Sequence, residues 1–267
     1  MEAISIISED KQAMASTKLL FLGTGTSTGV PQIGCRCDAC LSLDPRDKRL
    51  RASAIVSVKG LNILIDCGPD FRQQIIKAGS PPLSALLVTH IHYDHVGGID
   101  DLRPYCFDGP FPIYCTEDVA KGLRHNFPYC FEKDPYPGVP SFDLRIINPK
   151  ESFMHEGIGI TPLPVMHYKL PIVGYKIENL AYITDCKTMP DSTLELIKGV
   201  DTLVINALRH TEHLSHLSLR QAIDIVRKSN PRVAYFTHIS HQLGRAADIH
   251  LPEGMYLAND MAEITIK

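Results

Sequence analysis

Four apolar runs in this 267-residue chain each lead into a side chain able to bind a metal ion. Asn62–Ile65 is followed by Asp66, Ala181–Thr184 by Asp185 and Val233–Thr237 by His238, while His167 follows the run from Ile158 to Val165. Apolar strands that repeatedly end in an acid or an imidazole bring those groups together at one sheet edge. A fifth run, Leu86–Thr89, leads into His90-Ile91-His92-Tyr93-Asp94-His95. Side chains alternate along an extended segment, so His90 and His92 point the same way. The chain then turns and sets Asp94 and His95 beside them. Imidazole with carboxylate suits zinc, manganese or iron, and four ligands in so short a stretch exceed what one tetrahedral ion usually takes from one segment. Two divalent metals is the natural reading.

The remaining pattern is mixed α/β. Strands are expected at Lys18–Leu22, Ala52–Val58, Leu61–Ile65, Leu83–Thr89, Phe111–Cys115, Leu144–Ile147, Gly157–Leu163, Gly174–Ile177, Ala181–Thr184, Thr202–Ile205 and Val233–Thr237. The second and third of these flank Lys59-Gly60 and read as a hairpin. Helices are expected at Asp70–Ala78, closed by Gly79, and at Glu117–His125, Ser192–Lys198 and Leu219–Lys228, with a further helix able to begin at Val96-Gly97-Gly98. No internal repeat or low-complexity linker divides the chain, so one domain is expected. Pro104–Phe142 stands apart: it holds seven prolines and nine of the 19 aromatic residues. Such a stretch cannot be one long element. It reads as a lid over a site, a homodimer face, or a loop subdomain packing its own small core.

Composition narrows the function classes. A net charge of -3 without a run of five like charges argues against an extended nucleic-acid surface. No stretch approaches the roughly 20 apolar residues of a membrane span. The N-terminal residues carry Glu2, Glu9, Asp10 and Lys11 among short apolar pieces, unlike a secretory signal. A cytoplasmic location is the expectation. It requires the eight cysteines to be free or metal-bound, and Cys35, Cys37 and Cys40 are spaced as metal ligands rather than as a disulfide framework.

His90–His95 matches the HxHxDH signature, and through it the sequence resembles the metallo-β-lactamase superfamily. The likeness extends to PhnP-type cyclic phosphodiesterases through Leu22-Gly23-Thr24-Gly25-Thr26-Ser27, Cys35-Arg36-Cys37-Asp38-Ala39-Cys40, Ile65-Asp66-Cys67-Gly68-Pro69-Asp70-Phe71-Arg72, Asp100-Asp101-Leu102-Arg103 and Thr237-His238-Ile239-Ser240-His241. The resemblance implies a four-layer αββα sandwich over residues 18–267, with residues 1–17 a flexible extension. It also implies that His90, His92 and His167 hold one metal, that Asp94, His95 and His238 hold another, and that Asp185 bridges them. Asp66 would fix a ligand by a hydrogen bond. A structural zinc would sit on Cys35, Cys37, Cys40 and His241. Three thiolates need a fourth donor to close a tetrahedral zinc shell, and a closed shell is structural.

Two divalent ions (Zn or Mn, or else Fe) set against two carboxylates and a hydroxide leave one positive charge. That suits the monoanion of a small, linear or cyclic phosphodiester, and paired metals about 3.5–4 Å apart clamp such a group for in-line attack. Asp94 and His216 are expected as catalytic residues. By the match to the phosphodiesterases and ribonuclease Z, His216 is the general acid or phosphate contact, with His213 its rival. Two positions depart from the relatives: Tyr168 stands where glycine is usual, and Asn206 where an acid is usual. Other readings are a ribonuclease Z-like nuclease, a thioester or lactam hydrolase, and a metal-holding module without turnover. Arg103, Lys169 and Arg209 are candidates for a second phosphate contact.

Overall fold

The computed structural model describes residues 16–132, 134 and 136–267. Most of the expected N-terminal extension, residues 1–15, therefore lies outside the described residues, and Thr17 already opens a strand. The first sheet is formed by β1 (Thr17–Gly23), β2 (Ser53–Val58), β3 (Leu61–Ile65), β4 (Ala85–Leu87), β5 (Phe111–Cys115), β6 (Phe142–Ile146) and β14 (Glu263–Ile266), in the order β14-β1-β2-β3-β4-β5-β6. The second contains β7 (Phe153–His155), β8 (Ile158–His167), β9 (Leu170–Ile177), β10 (Leu180–Ile183), β11 (Thr202–Asn206), β12 (Val233–Thr237) and β13 (Met255–Leu257), in the order β13-β12-β11-β10-β9-β8-β7. The helices are α1 (Asp38–Leu41), α2 (Phe71–Lys77), α3 (Tyr93–Val96), α4 (Glu117–Asn126), α5 (Asp191–Leu196) and α6 (Leu219–Ser229).

Strand alternation builds the layers. Ile63 and Ile65 of β3 and Leu87 of β4 join Tyr175, Leu180 and Tyr182 in a core between the sheets. Their neighbours Leu64 and Leu86 face outward, onto Phe71 and Ile75 of α2 and Val119 and Leu123 of α4. On the other side Ala181, Ile183, Leu203 and Ile205 pack against Leu219, Ala222 and Val226 of α6. Period-two burial on both faces of both sheets thus gives the four-layer αββα sandwich.

Turn chemistry agrees with the sequence. Lys59 and Gly60 both adopt left-handed φ (50° and 81°), as a two-residue hairpin loop requires. Ser218 caps α6 in a reciprocal box with Gln221, whose side chain accepts from Ser218 N at 3.0 Å. Two expectations change. The helix near Val96 begins earlier, at Tyr93, because the chain turns directly after His92. Pro104–Phe142 is no separate subdomain: it supplies β5 and α4, and Phe111, Ile113 and Leu123 belong to the outer core of the first sheet.

β3 runs parallel to β4, and β10, β11 and β12 run parallel to one another, so their C-terminal ends emerge on a shared rim. Backbone contact holds the His90–His95 turn to this rim: Cys67 N donates to His95 O at 2.7 Å, and Gly98 N to Cys67 O at 2.9 Å. A Cβ on Gly68 would collide with Asp94 O. Gly68→Ala is therefore expected to lower stability by about 1–3 kcal/mol, the usual cost of overpacking, read from urea denaturation. Gly159→Ala, whose new methyl meets nothing nearer than Met154 Sδ at 3.8 Å, serves as the control.

Candidate metal centre

The strand ends that carry the site share an uncommon backbone. Asp66, Tyr168, Asp185 and His238 all have left-handed φ, at 58°, 54°, 54° and 53°. Non-glycine residues rarely adopt this conformation outside sites that need it. In each case the chain leaves a strand and turns sharply, which swings a side chain across the rim. The expectation of one sheet edge is corrected here: Asp66 and His90 come from the first sheet, and His167, Asp185 and His238 from the second.

Asp185 sits at the focus. Its Oδ1 lies 3.0 Å from His238 Nε2, and its Oδ2 lies 3.5 Å from both His90 Nε2 and His95 Nε2. The donor atoms of Asp94, His95, Asp185 and His238 lie mutually within 4.8 Å, as do those of His90, His92 and Asp185. His167 departs from the expected grouping. Its ring centroid is 5.1 Å from His92 and 5.6 Å from His90, yet its donor atom groups with Asp185 and His216. His216 stacks on His238 at 4.9 Å and meets His167 edge-on at 4.6 Å. His213 is in none of these groups, and its Nδ1 accepts from Ser215 N at 3.3 Å.

Hydrogen bonds aim the imidazoles. Asp66 accepts from Thr89 N (2.8 Å), Thr89 Oγ1 (2.8 Å) and His95 Nδ1 (2.7 Å). Thr89 spends its only proton on Asp66, so it accepts from His90 Nδ1, 3.0 Å away. His167 Nδ1 donates to Asp185 O at 2.9 Å. Three histidines are thereby held with Nδ1 protonated and Nε2 presenting a lone pair, the state a metal ligand needs. Thr89 was not singled out from the sequence; its signal was only its place before His90.

These residues fit a cation. Asp94 and Asp185 are buried, at 7% and 2% exposure, and their ion-pair partners are histidines, with no Lys or Arg among them. His95 Nε2 lies 3.1 Å from Asp94 Oδ2 but has no hydrogen-bond partner, as expected of atoms directed at a common point between them. Burial opposes charge on His95, but Asp94, Asp185 and Asp66 outweigh it and raise its proton affinity well above the ordinary value. At His90, burial and then His95 lower it. Burial, and next His238, push His216 down to about 3.

The Asn206 amide grips Cys186, accepting from Cys186 N at 2.7 Å and donating to Cys186 O at 3.0 Å, which fixes the residue after Asp185. Arg209 is also committed within the chain, to Thr211 O, Glu212 O and Gln242 Oε1. Arg103 pairs with Asp100, and the Lys169 ammonium lies over the Tyr168 ring at 5.3 Å.

A second cluster lies on the turn after β12. The donor atoms of Cys35, Cys37, Cys40 and His241 are mutually within 4.8 Å, with His241 Nδ1 3.4 Å from Cys35 Sγ and 3.3 Å from Cys37 Sγ. Gln32 N donates to Cys40 Sγ at 3.4 Å. The Cys40 backbone and then His241 hold the Cys37 thiol down at about 6, while burial pushes Cys40 up to about 11.

The family model of the beta-lactamase superfamily domain matches residues 61–239. A solved structure described as a new diphosphatase from the PhnP family superimposes with a TM-score of 0.87 at 36% identity, over 94% of this chain and 97% of that one. The chain belongs to the beta-lactamase superfamily and, within it, to the PhnP family. Zinc-bound PqqB from Methylobacterium extorquens shares the fold, with a TM-score of 0.76 at 22% identity over 92% of this chain and 99% of that one. An octanoyltransferase of Porphyromonas gingivalis (strain ATCC BAA-308 / W83) is 43% identical over 226 residues, which are 84% of this chain. The chain spans 46% of that protein's length. The fold is one of metal-dependent hydrolases.

If Asp66 aims His95, removing its charge should loosen metal without removing a ligand. Asp66→Asn is expected to weaken catalytic-site metal binding about 10–100-fold in competition with a chelator. Metal held by Cys35, Cys37, Cys40 and His241 should be unaffected, and equal loss from both clusters would count against the assignment.

Proposed function

We propose that this chain is a metal-dependent hydrolase of small phosphodiesters, cyclic ones included. The observation that carries the reading is the convergence of His90, His92, Asp94, His95, His167 and His238 around Asp185, with His216 against two of these imidazoles. His90, His92, His167 and Asp185 would hold one divalent ion, and Asp94, His95, His238 and Asp185 the other. Zinc, manganese and iron all suit this donor set. Bound there, such ions would polarise phosphoryl oxygens and lower the pKa of water toward about 7. Cys35, Cys37, Cys40 and His241 would hold a structural zinc.

The chain's own residues set up the rest. Asp66 and Thr89 keep His95 and His90 from rotating. Asp185, reaching toward both groups, fixes their separation. The buried Nδ1 of His216 has no hydrogen-bond partner among the described residues, so no bond within them fixes the protonation of the ring. A phosphate anion brought beside His216 favours its protonated form, opposing the effect of burial. In that form the imidazolium contacts the phosphate and delivers a proton to the leaving oxygen. The cap of α6 and the Leu217 N to Cys186 O bond (2.9 Å) hold it in place.

A thioester hydrolase is the second reading, favoured by the 43% identity to a protein named for octanoyl transfer. The two differ at His216, which thioester cleavage does not require. Turnover of 4-nitrophenyl phosphodiesters and of 2,3-cyclic sugar phosphates should be measured with metal content determined. His216→Ala is expected to fall at least about 100-fold, within the usual contribution of general acid catalysis. An undiminished rate in the fully metallated variant would sink the acid role, and thioester turnover without diester turnover would select the second reading.

A further inference from the structure

We propose that a cavity of about 270 Å³ beside His90 receives an unbranched aliphatic chain carried by the substrate. This rests on the hydrolase reading above and names the kind of group its substrate bears. The cavity adjoins the metal centre through His90, and Met166 and Leu170, which flank His167 and its turn, form another part of its wall. A chain seated there lies one side chain away from the ligand cluster.

The lining selects the occupant by shape and charge. Ile91, Val119, Leu170 and Val173 present branched aliphatic surface, and four prolines make much of the remaining wall. Proline fixes its own backbone angle, so such a wall is formed before a ligand arrives. No aromatic ring other than the His90 imidazole lines it, so a planar base would find no stacking partner. Among the described residues no lysine or arginine lines it either, and the Asp118 carboxylate at its edge is exposed and paired with Lys121 at 3.6 Å. A second phosphate or a carboxylate head would therefore find no cation among these lining residues to offset its desolvation, whereas a neutral hydrocarbon needs none. Apolar walls with a few polar groups (here Thr116, Asp118 and His90) beside a reactive centre are the ordinary make-up of a small-molecule subsite.

The test is a series of n-alkyl 4-nitrophenyl phosphodiesters, methyl to octyl, with fully metallated protein. kcat/KM is expected to rise about four-fold per methylene, the transfer value for a buried CH₂, and to level off once the cavity is full. Val119→Trp, which fills the cavity, should flatten the series, read as the octyl-to-methyl ratio. In parallel, calorimetry with n-alkylphosphonates should show tighter binding and more negative ΔCp with each added methylene. Measurable turnover with no dependence on chain length would overturn the cavity proposal and leave the phosphodiesterase reading standing. No diester turnover, with chain-length-dependent phosphonate binding, would support the cavity and remove the phosphodiesterase reading. A series as steep in Val119→Trp as in wild type would overturn the assignment to this cavity.

Discussion

Two buried carboxylates whose ion-pair partners are all imidazoles govern this molecule. Taking a carboxylate out of water costs several kcal/mol unless an opposite charge or hydrogen bonds offset it, and Asp94 and Asp185 have no lysine or arginine to do so. Neutral histidines offset little of that cost. The site is therefore built with a deficit of positive charge, which divalent cations would meet. A ligand that binds only the folded chain stabilises it by mass action, so metal affinity and fold stability are linked. The left-handed residues Asp66, Asp185 and His238 add strain of about 1–3 kcal/mol each, which the surrounding layers must hold in place.

Those layers can hold it because the site straddles two sheets. Each sheet alone offers an incomplete set: the first gives the His90–His95 turn and Asp66, the second His167, Asp185 and His238. The core between them, with Tyr175 and Tyr182 fully buried, sets their spacing. Tyr175 also donates to Val88 O at 2.7 Å, and Val173 N to Thr89 O at 3.2 Å, so the second sheet is pinned to the first at the two residues before His90. Cations placed between the strand ends would complete this attachment at the rim.

Much of this was legible in the sequence because it depends on local pattern. β3, β5 and β12 lie where β-branched and aromatic runs placed them, and the ligands at their ends follow from that. Short edge strands were not legible, whereas the equally short β4 and β10 were, because they lie within apolar runs. β7, β13 and β14 have three or four residues, too few for periodicity to register, and each is a strand only through pairing with β8, β12 or β1. The sequence also could not assign strands to sheets, so ligands expected on one edge came from two. Nor could it show partners distant in the chain: Asn206 registered only as a departure from the relatives, and only tertiary structure brings its amide to Cys186.

The turn after β12 shows why the peripheral cysteine cluster bears on the centre without touching it. Within Thr237–His241 the chain presents His238 to Asp185, pairs Ile239 with Gly25 at the exit of β1, and offers His241 to the thiols. Ser240 also donates through N (3.0 Å) and Oγ (2.8 Å) to Leu208 O, and Gln242 accepts from Arg209. Arg209 in turn holds the backbone leading to His213 and His216. His238, in a left-handed conformation, and the polar loop that carries His213 and His216 are thus tied to the same few residues. Fixing those residues from the far side, through His241 and three thiols on a separate segment, limits motion at His238 and His216 together. The cysteine cluster lies apart from the donors around Asp185; its effect is on the positions of the His238 and His216 imidazoles.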